Sequence, residues 1–322
     1  MMDSISLLHV VSYVTILIFF AGFAMKAIRY ATAPIHLRWE LYPVAHEVGH
    51  KSGGSYLEEL DWRTKPRKKS LIGELTFMAK EFLFFRGYYH RNRQIWYFVY
   101  PFHIAGYLFV VWLVVLLIGA LATLADLPIS AGSASLWGQI IYYLTLAVGL
   151  ASFIIGTILS MSLLIKRSVD EDLKTYTTPI DYFNLSFVLA IFASGLVAWL
   201  LSDPTFHIAR EYMKSLITLN PMPAMSPAII THIMIVCLFL IYMPFTRMTH
   251  SIAKYFTFHR VRWEDEPNVG KGEMEKKIEE LLNQPVSWSA SHIQPGKRWS
   301  ELAASETVSE VKHEEEKKNS KN

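Results

Sequence analysis

The sequence predicts an all-α protein, an integral membrane bundle of five transmembrane helices with a cytoplasmic loop and a C-terminal tail. The 322 residues are 52 % hydrophobic with a mean hydropathy of +0.25, although 18 % of them are charged. These charges lie apart from the apolar residues. Five apolar stretches reach or approach the ~20 residues of a spanning helix, and they cover about Leu7 to Tyr30, Ile95 to Leu124, Leu136 to Ile165, Tyr182 to Leu201 and Pro227 to Arg247.

The order of charges predicts that the chain enters the membrane with its N-terminus outside. Asp3 precedes the first stretch and Lys26 and Arg29 follow its long apolar core, which is not the order of a cleaved signal peptide. Eleven Lys and Arg residues lie in 31–94, whereas 125–135 has none. Because cytoplasmic loops are enriched in these residues, the first loop and the C-terminus are predicted to be cytoplasmic. We expect a five-helix domain over 1–263, including the loop 31–94, and a partly disordered tail over 264–322.

Cysteine usage limits the cofactors. The only cysteine, Cys237, lies inside the fifth stretch. A disulfide, a C-x-x-C-H attachment for haem c and a thiolate set for an iron–sulfur cluster are therefore excluded within the chain. An electron carrier bound here needs histidine ligands, and an iron–sulfur centre would belong to another subunit.

Two histidines of the fifth stretch, His232 and His250, carry the strongest functional signal. They are eighteen residues apart, which is five helical turns, so on one helix both rings share a face about 27 Å apart. That separation is close to the ~30 Å hydrocarbon thickness. The pair predicts one ligand for each of two haems b stacked across the membrane, although Pro244 between them is able to kink the helix.

Depth in the membrane predicts the partner of each histidine. His103, about eight residues into the second stretch, reaches the inner depth of His250. His9, near the outer end of the first stretch, reaches the depth of His232, and His207 of the outer loop is an alternative partner. A histidine in a span indicates a functional site by default. For any single one, the alternative is a packed, hydrogen-bonding residue.

Several segments carry a resemblance to the gamma subunit family of respiratory nitrate reductase. It is closest to members paired with heterodisulfide-reductase-like iron–sulfur proteins and to membrane complexes of sulfate reducers. The resemblance rests on the His232/His250 spacing and on three segments, namely Pro101-Phe102-His103-Ile104-Ala105-Gly106, His36-Leu37-Arg38-Trp39-Glu40-Leu41-Tyr42-Pro43-Val44-Ala45-His46-Glu47 and Ser287-Trp288-Ser289-Ala290-Ser291-His292-Ile293.

The resemblance implies a haem b subunit of a respiratory oxidoreductase in a prokaryotic cytoplasmic membrane. Such a subunit carries electrons between menaquinone or ubiquinone and a cytoplasmic iron–sulfur partner, and further membrane or periplasmic cytochrome subunits fit the same complex. In that family the second span supplies two ligands ten residues apart. Here the position ten after His103 is Leu113, which cannot bind iron. The inner haem on His103 and His250 carries over, and His9 is expected to replace the missing outer ligand of the haem on His232.

Other polar residues are candidates for the propionates and for the quinone. Haem propionates are anionic and favour Arg or Lys near the membrane surface, and Arg247 and Arg91 are at suitable depths. Plain anchoring by the positive-inside rule explains them equally well. In the outer loop His207, Arg210 and Tyr212 form a polar cluster that we expect to bind a quinol. Nucleic acid is not an expected partner.

Two alternatives stay open. The first is a haem-free membrane anchor for the same partner. The second is a zinc protease, because His46-Glu47-Val48-Gly49-His50 matches H-E-x-x-H. A zincin needs that motif on a continuous helix, and the flanking Pro43 and Ser52-Gly53-Gly54 favour a loop. An ion-coupled transporter has little support, since the spans hold almost no acidic residues.

Overall fold

The computed structural model describes residues 6–33, 47–48, 60, 64–65, 68–259, 272–290 and 293–304. Within these ranges the chain is helical apart from loops, short 3₁₀ turns and isolated β-bridges. The helices are α1 (Leu7–Thr32), α2 (Leu71–Leu83), α3 (Arg86–Arg91), α4 (Arg93–Leu124), α5 (Leu136–Val169), α6 (Glu171–Tyr176), α7 (Pro179–Leu201), α8 (His207–Thr218), α9 (Pro227–Tyr242), α10 (His250–Thr257) and α11 (Glu273–Leu282).

Five of the described helices are long and apolar enough to cross a membrane. They are α1, α4, α5, α7 and the segment Pro227–Phe245 that begins with α9. Each coincides with one apolar stretch of the sequence, with bounds that differ by at most four residues. The predicted all-α membrane bundle is therefore confirmed, and the chain is a multi-pass membrane protein.

The chain divides into two compact units. The bundle unit comprises Met1–Phe23 and Ala79–Thr249, and the second unit comprises Ala24–Met78 and His250–Asn322. In the bundle unit α4 packs on α5, α5 on α7, α7 on α9, and α8 covers one end of α4. Its aromatic core contains Trp112, Phe153, Phe192 and Phe206. The predicted boundary between 263 and 264 stays a prediction.

Two glycines and two phenylalanines interlock α5 with α7. The ring of Phe153 on α5 lies against Gly195 on α7, and the ring of Phe192 on α7 lies against Gly156 on α5. A methyl group on either glycine would overlap the facing ring. Small residues that admit large ones in this way supply the van der Waals contact that holds helices together in lipid.

Helix α1 joins the bundle unit through a face of polar and small residues. Its buried positions are His9, Ser12, Thr15 and Gly22. Gly22 lies against Pro244, so a Cβ at this position would be 2.7 Å from the proline side chain. The Tyr13 hydroxyl donates to the carbonyl of Leu216. The apolar residues of α1 point outward, as expected of a lipid-facing helix.

The structure differs from the prediction for the helix that carries His232. The predicted helix through His250 is wrong, because α9 gives way to two short 3₁₀ turns, Met243–Phe245 and Arg247–Thr249. Between them Thr246 is extended, with φ −114° and ψ 179°. Pro244, in the first turn, has no N–H to donate to a helical hydrogen bond, and in a continuous helix its ring would clash with the carbonyl four residues earlier. The five-turn phase of His232 and His250 is therefore lost, and His250 begins α10 in the second unit.

The second unit is held by aromatic contacts and a small C-terminal core. Tyr30 lies 6.1 Å from Phe256 between ring centroids, and Phe77 meets Phe258 edge to face at 5.4 Å. The C-terminal segment buries Val286, Ile293 and Leu302. Helix α11 forms over the ten residues that amphipathic spacing favours.

A histidine-lined cavity at the α8 end of the bundle unit

A cavity of about 450 Å³ lies between α1, α4, α7, α8 and α9. This volume is within the range of cofactor and small-molecule sites. The wall is mainly apolar, and its polar side chains are Ser12, Thr15, Asp203, Tyr212, His232 and Cys237. Phe20 on α1 and Val110 on α4 line the cavity and are also 64 % and 58 % exposed. The cavity therefore opens between α1 and α4 toward the lipid-facing surface.

The hydrogen bonds of His232 indicate which of its two ring nitrogens carries the proton. His232 is 8 % exposed, and its Nδ1 lies 2.9 Å from the hydroxyl of Ser194 on α7. That hydroxyl donates its single proton to the carbonyl of Ile191 at 3.1 Å. With its proton on that carbonyl, Ser194 accepts from Nδ1–H of His232. The lone pair is then on Nε2, the nitrogen that binds iron or accepts a proton.

Tyr212 and Ser12 form a second polar pair on the wall. Ser12 is 2.7 Å from the carbonyl of Leu8, to which it donates, and its hydroxyl lies 2.5 Å from the hydroxyl of Tyr212. Burial raises the pKa of Tyr212 to about 12, against a weaker opposing effect of the hydrogen bond with Ser12. Tyr212 is consequently a neutral hydrogen-bond donor at physiological pH. The hydrogen bond between Ser12 and Tyr212 links α1 to α8 at the cavity wall.

His9 lies on α1 near the level of His232 on α9, and its predicted role as a haem ligand stays a prediction. The contacts of Gly22 with Pro244 and of Ser12 with Cys237 show α1 and α9 running in the same direction, offset by 222 to 225 residues. The same offset takes His9 to 231–234, next to His232. His9 is fully buried, and its Nε2 has no hydrogen-bond partner among the described residues. It does not itself line the cavity.

The Nδ1 atom of His9 is engaged at the start of α1. It lies 3.1 Å from the hydroxyl and 3.2 Å from the backbone nitrogen of Ser6. The Ser6 hydroxyl in turn accepts from the His9 backbone at 3.4 Å, which is the reciprocal pattern of a capping box. A structural role thus exists beside the predicted ligand role. Because Nδ1 accepts from the Ser6 N–H, the neutral ring carries its proton on Nε2, and binding of iron through Nε2 would require that proton to move.

Helix α8 distributes its three candidate residues over different surroundings. Tyr212 lines the cavity, whereas His207 is exposed at the first position of the helix. Arg210 is 3 % exposed and its Nε would be 3.1 Å from a Cβ on Gly119 of α4. Burial lowers the pKa of Arg210, and the charges of Asp203 and Glu211 oppose that shift. Two of its nitrogens, Nε and Nη2, have no partner among the described residues. The three residues therefore do not share one surface, and the predicted quinol site stays a prediction.

His103 lies on α4 at the opposite end of the bundle unit. Its Nδ1 donates to the carbonyl of Val99 at 2.7 Å, which leaves the lone pair on Nε2. The ring of Phe85 meets it edge to face at 4.7 Å. One turn further, a Cβ on Gly106 would meet no described atom within 4 Å, so the helix face beside His103 is open. Leu113 lines the cavity ten residues further along α4, about 15 Å away along the axis.

The remaining predicted ligands are less constrained by their surroundings. His250 is exposed and belongs to the second unit, so its pairing with His103 stays a prediction. Arg247 is exposed and lies within electrostatic range of Asp181 on α7. Arg91 is exposed at the last position of α3. Both cations are accessible to an anionic group near the end of the bundle.

The zincin motif does not have the structure of a zinc site where it is described. His46 and His50 lie outside the described residues. Glu47 between them is 5 % exposed and forms an isolated antiparallel bridge with Lys69 rather than part of a helix. Across the described part of the chain, no three His, Cys, Asp or Glu side chains gather as a metal site. A site with one or two histidines on haem iron is not of that kind.

Comparison with known families decides the kind of protein. A family model described as nitrate reductase gamma subunit matches residues 91–263, more than half of the chain. This chain belongs to that family. Nitrate reductase gamma subunits are haem-binding membrane cytochromes b, and they work within multi-subunit oxidoreductase complexes. No curated protein and no solved structure matches the chain.

The cavity lining and the histidines next to it fit a haem, and sequence analysis missed several of the polar residues on or beside the cavity wall. The fit rests on His232 beside an apolar space and on the buried, unpartnered Nε2 of His9, which lies outside the cavity lining. Ser194, Ser12 and Thr15 were not predicted. A signal for them exists, since hydroxyl residues inside an apolar span usually hydrogen-bond another helix.

Proposed function

We propose that the chain is the haem b subunit of a respiratory oxidoreductase in a prokaryotic cytoplasmic membrane. It carries electrons between menaquinone or ubiquinone and a cytoplasmic heterodisulfide-reductase-like iron–sulfur subunit. The N-terminus is outside and the C-terminus is cytoplasmic. The observation that carries the proposal is His232, a buried histidine whose hydrogen bond with Ser194 leaves Nε2 as the electron-pair donor beside an apolar cavity.

The cavity end is proposed to hold the outer haem b between His232 and His9. When bound, haem supplies one-electron transfer at a potential set by its ligands and surroundings. The sequence predicts the two histidines at one depth, and Nδ1 of each lies within hydrogen-bond distance of a serine. The apolar wall excludes water from the ligands. His207 is the alternative partner, but it is exposed on α8, which makes the fully buried His9 the better donor.

The opposite end is proposed to hold the inner haem b on His103 and His250. Val99 fixes the His103 ring with its lone pair on Nε2. The open face at Gly106 gives room beside that ring. Arg247 and Arg91 are the proposed partners of the propionates, because both are exposed cations near the end of the bundle unit.

We place the quinone site at the α8 end, which is the predicted outer side of the membrane. Of His207, Arg210 and Tyr212, Tyr212 is the best placed, since its hydroxyl lies on the cavity wall and is neutral at physiological pH. His207 is exposed and suited to release protons outward. Arg210 supplies a buried positive charge behind them.

Reduction by a quinol tests this function. The protein in lipid nanodiscs is mixed anaerobically with menadiol, and the haem absorbance is followed. We expect rapid reduction that slows about tenfold or more in Tyr212→Phe and is unchanged in Tyr143→Phe, a matched lipid-exposed tyrosine on α5. Haem that menadiol does not reduce contradicts the quinone link. Protein without haem absorbance is the haem-free anchor.

A further inference from the structure

The two sides of the His232 ring are held by different elements. On one side Ser194 of α7 accepts from Nδ1 at 2.9 Å. On another, the Phe153 ring of α5 stands perpendicular to the imidazole at a centroid distance of 5.6 Å. Phe153 is itself locked against Gly195, the residue after Ser194. The ring orientation of His232 is therefore set by α7 directly and through α5.

The hydroxyl of Ser194 lies within hydrogen-bond distance of both His232 Nδ1 and the carbonyl of Ile191. Its proton goes to the carbonyl of Ile191 at 3.1 Å, one turn earlier in the same helix. A hydroxyl has one proton to donate, so only its lone pairs remain for His232. In this arrangement the neutral imidazole carries its proton on Nδ1, whereas a hydroxyl turned to donate to Nδ1 would place that proton on Nε2.

We propose that Ser194 is a positioning residue, which fixes the Nδ1–H tautomer of His232 and thereby lowers the midpoint potential of the haem bound there. The inference rests on the proposed outer haem site. An acceptor on Nδ1–H makes the imidazole a stronger electron donor through Nε2. A stronger donor stabilises the oxidised iron, so the potential falls.

A merely structural role for Ser194 makes a different prediction. If the serine only satisfies a buried polar ring, its loss weakens the fold without changing the electronic character of a bound haem. The readouts must then separate ring chemistry from stability. Ser162 provides a matched control, because its hydroxyl donates to the Ile158 carbonyl at 2.8 Å on an exposed helix face and touches no histidine.

The first measurement needs no haem. Solid-state NMR of haem-free protein with ¹⁵N-labelled histidine is recorded in lipid, and His232→Gln identifies the signals of His232. We expect a protonated Nδ1 and a bare Nε2 in the wild type, and a mixture of tautomers in Ser194→Ala. Ser194→Thr retains the acceptor and restores the single tautomer. A wild-type ring with its proton on Nε2 overturns the proposal even if no variant folds.

The second measurement is a redox titration in the His103→Ala background, where only the outer haem remains. We expect the midpoint potential to shift upward in Ser194→Ala, to return in Ser194→Thr and to stay unchanged in Ser162→Ala. An unchanged or lower potential in Ser194→Ala overturns the proposal. If the His103→Ala protein binds no haem, the outer site of the proposed function fails, while the NMR result still decides whether Ser194 sets the tautomer.

Discussion

The two histidine-bearing ends of the bundle unit are built in different ways. At the α8 end His232 depends on Ser194 of another helix, and Tyr212 depends on Ser12 of α1. At the other end His103 hydrogen-bonds a carbonyl one turn back in its own helix. One site is thus assembled by tertiary packing and the other by local helix geometry. Damage to helix packing should therefore affect the cavity end first.

Helix α4 runs between the two ends and places a histidine at only one of them. It offers His103 at one level and Leu113 at the other, where the leucine lines the cavity. A second ligand for the cavity end must then come from a different helix. The buried His9 of α1 is the residue that we propose for this role, on a helix attached mainly through side chains.

Removal of a proposed ligand gives the largest expected effect. His103→Ala and His232→Ala should each lose about half of the haem b, and the double variant should lose nearly all of it, because an alanine cannot bind iron. Pyridine haemochrome assays on purified protein measure the content. His90→Ala, at an exposed position of α3, is the control and should retain full haem. Full haem in either single ligand variant contradicts the assignment.

The ligand at the cavity end can be moved from α1 to α4. We expect His9→Ala to lose the outer haem and His9→Ala/Leu113→His to regain it, because the new histidine faces the same cavity as His232. Haem content and the low-spin absorbance spectrum report the rescue. If His9→Ala keeps a six-coordinate outer haem, the partner is another residue, and His207→Ala then tests the alternative.

Two glycine substitutions compare packing at the two ends. Gly195→Ala puts a methyl group into the Phe153 ring, which supports His232. Such overpacking costs about 1–3 kcal/mol, so the thermal midpoint in detergent should fall and the outer haem should be lost preferentially. Gly106→Ala meets no described atom and should leave the midpoint of haem-free protein unchanged. Equal effects of the two would argue against the packing difference.

The smallest expected effect is the alkaline response of Tyr212. Its pKa is raised from 10.0 to about 12, so its contribution to stability is fully present below pH 10 and is lost as the pH rises through about 12. The loss amounts to roughly 2–3 kcal/mol. Chemical denaturation between pH 9 and pH 12 should therefore be less pH-dependent in Tyr212→Phe than in wild type. Tyr143→Phe serves as the control, and identical pH curves for both variants would contradict the effect.

Much of the bundle could be predicted because spanning length and hydropathy are local properties of the sequence. The five apolar stretches become five helices within a few residues of the expected ends. The full break in the helix after α9 could not be predicted in this way, because Pro244 permits either a kink or an interruption of the helix. The extended Thr246 shows the interruption.

The side-chain network of the cavity depends on contacts between distant parts of the sequence. Ser194 meets His232 across 38 residues, and Ser12 meets Tyr212 across 200. No spacing rule connects such pairs. The outer cluster of His207, Arg210 and Tyr212 shows the converse, since residues near in sequence point from α8 into different surroundings.

The most direct test of a two-site membrane cytochrome is the haem content of the purified wild-type protein. A dithionite-reduced minus oxidised spectrum with pyridine haemochrome quantitation should give about two haems b per chain. One haem per chain would leave a single site, and the ligand variants would identify which end holds it. A protein that binds no haem under conditions of full haem supply would contradict the account and leave a membrane anchor.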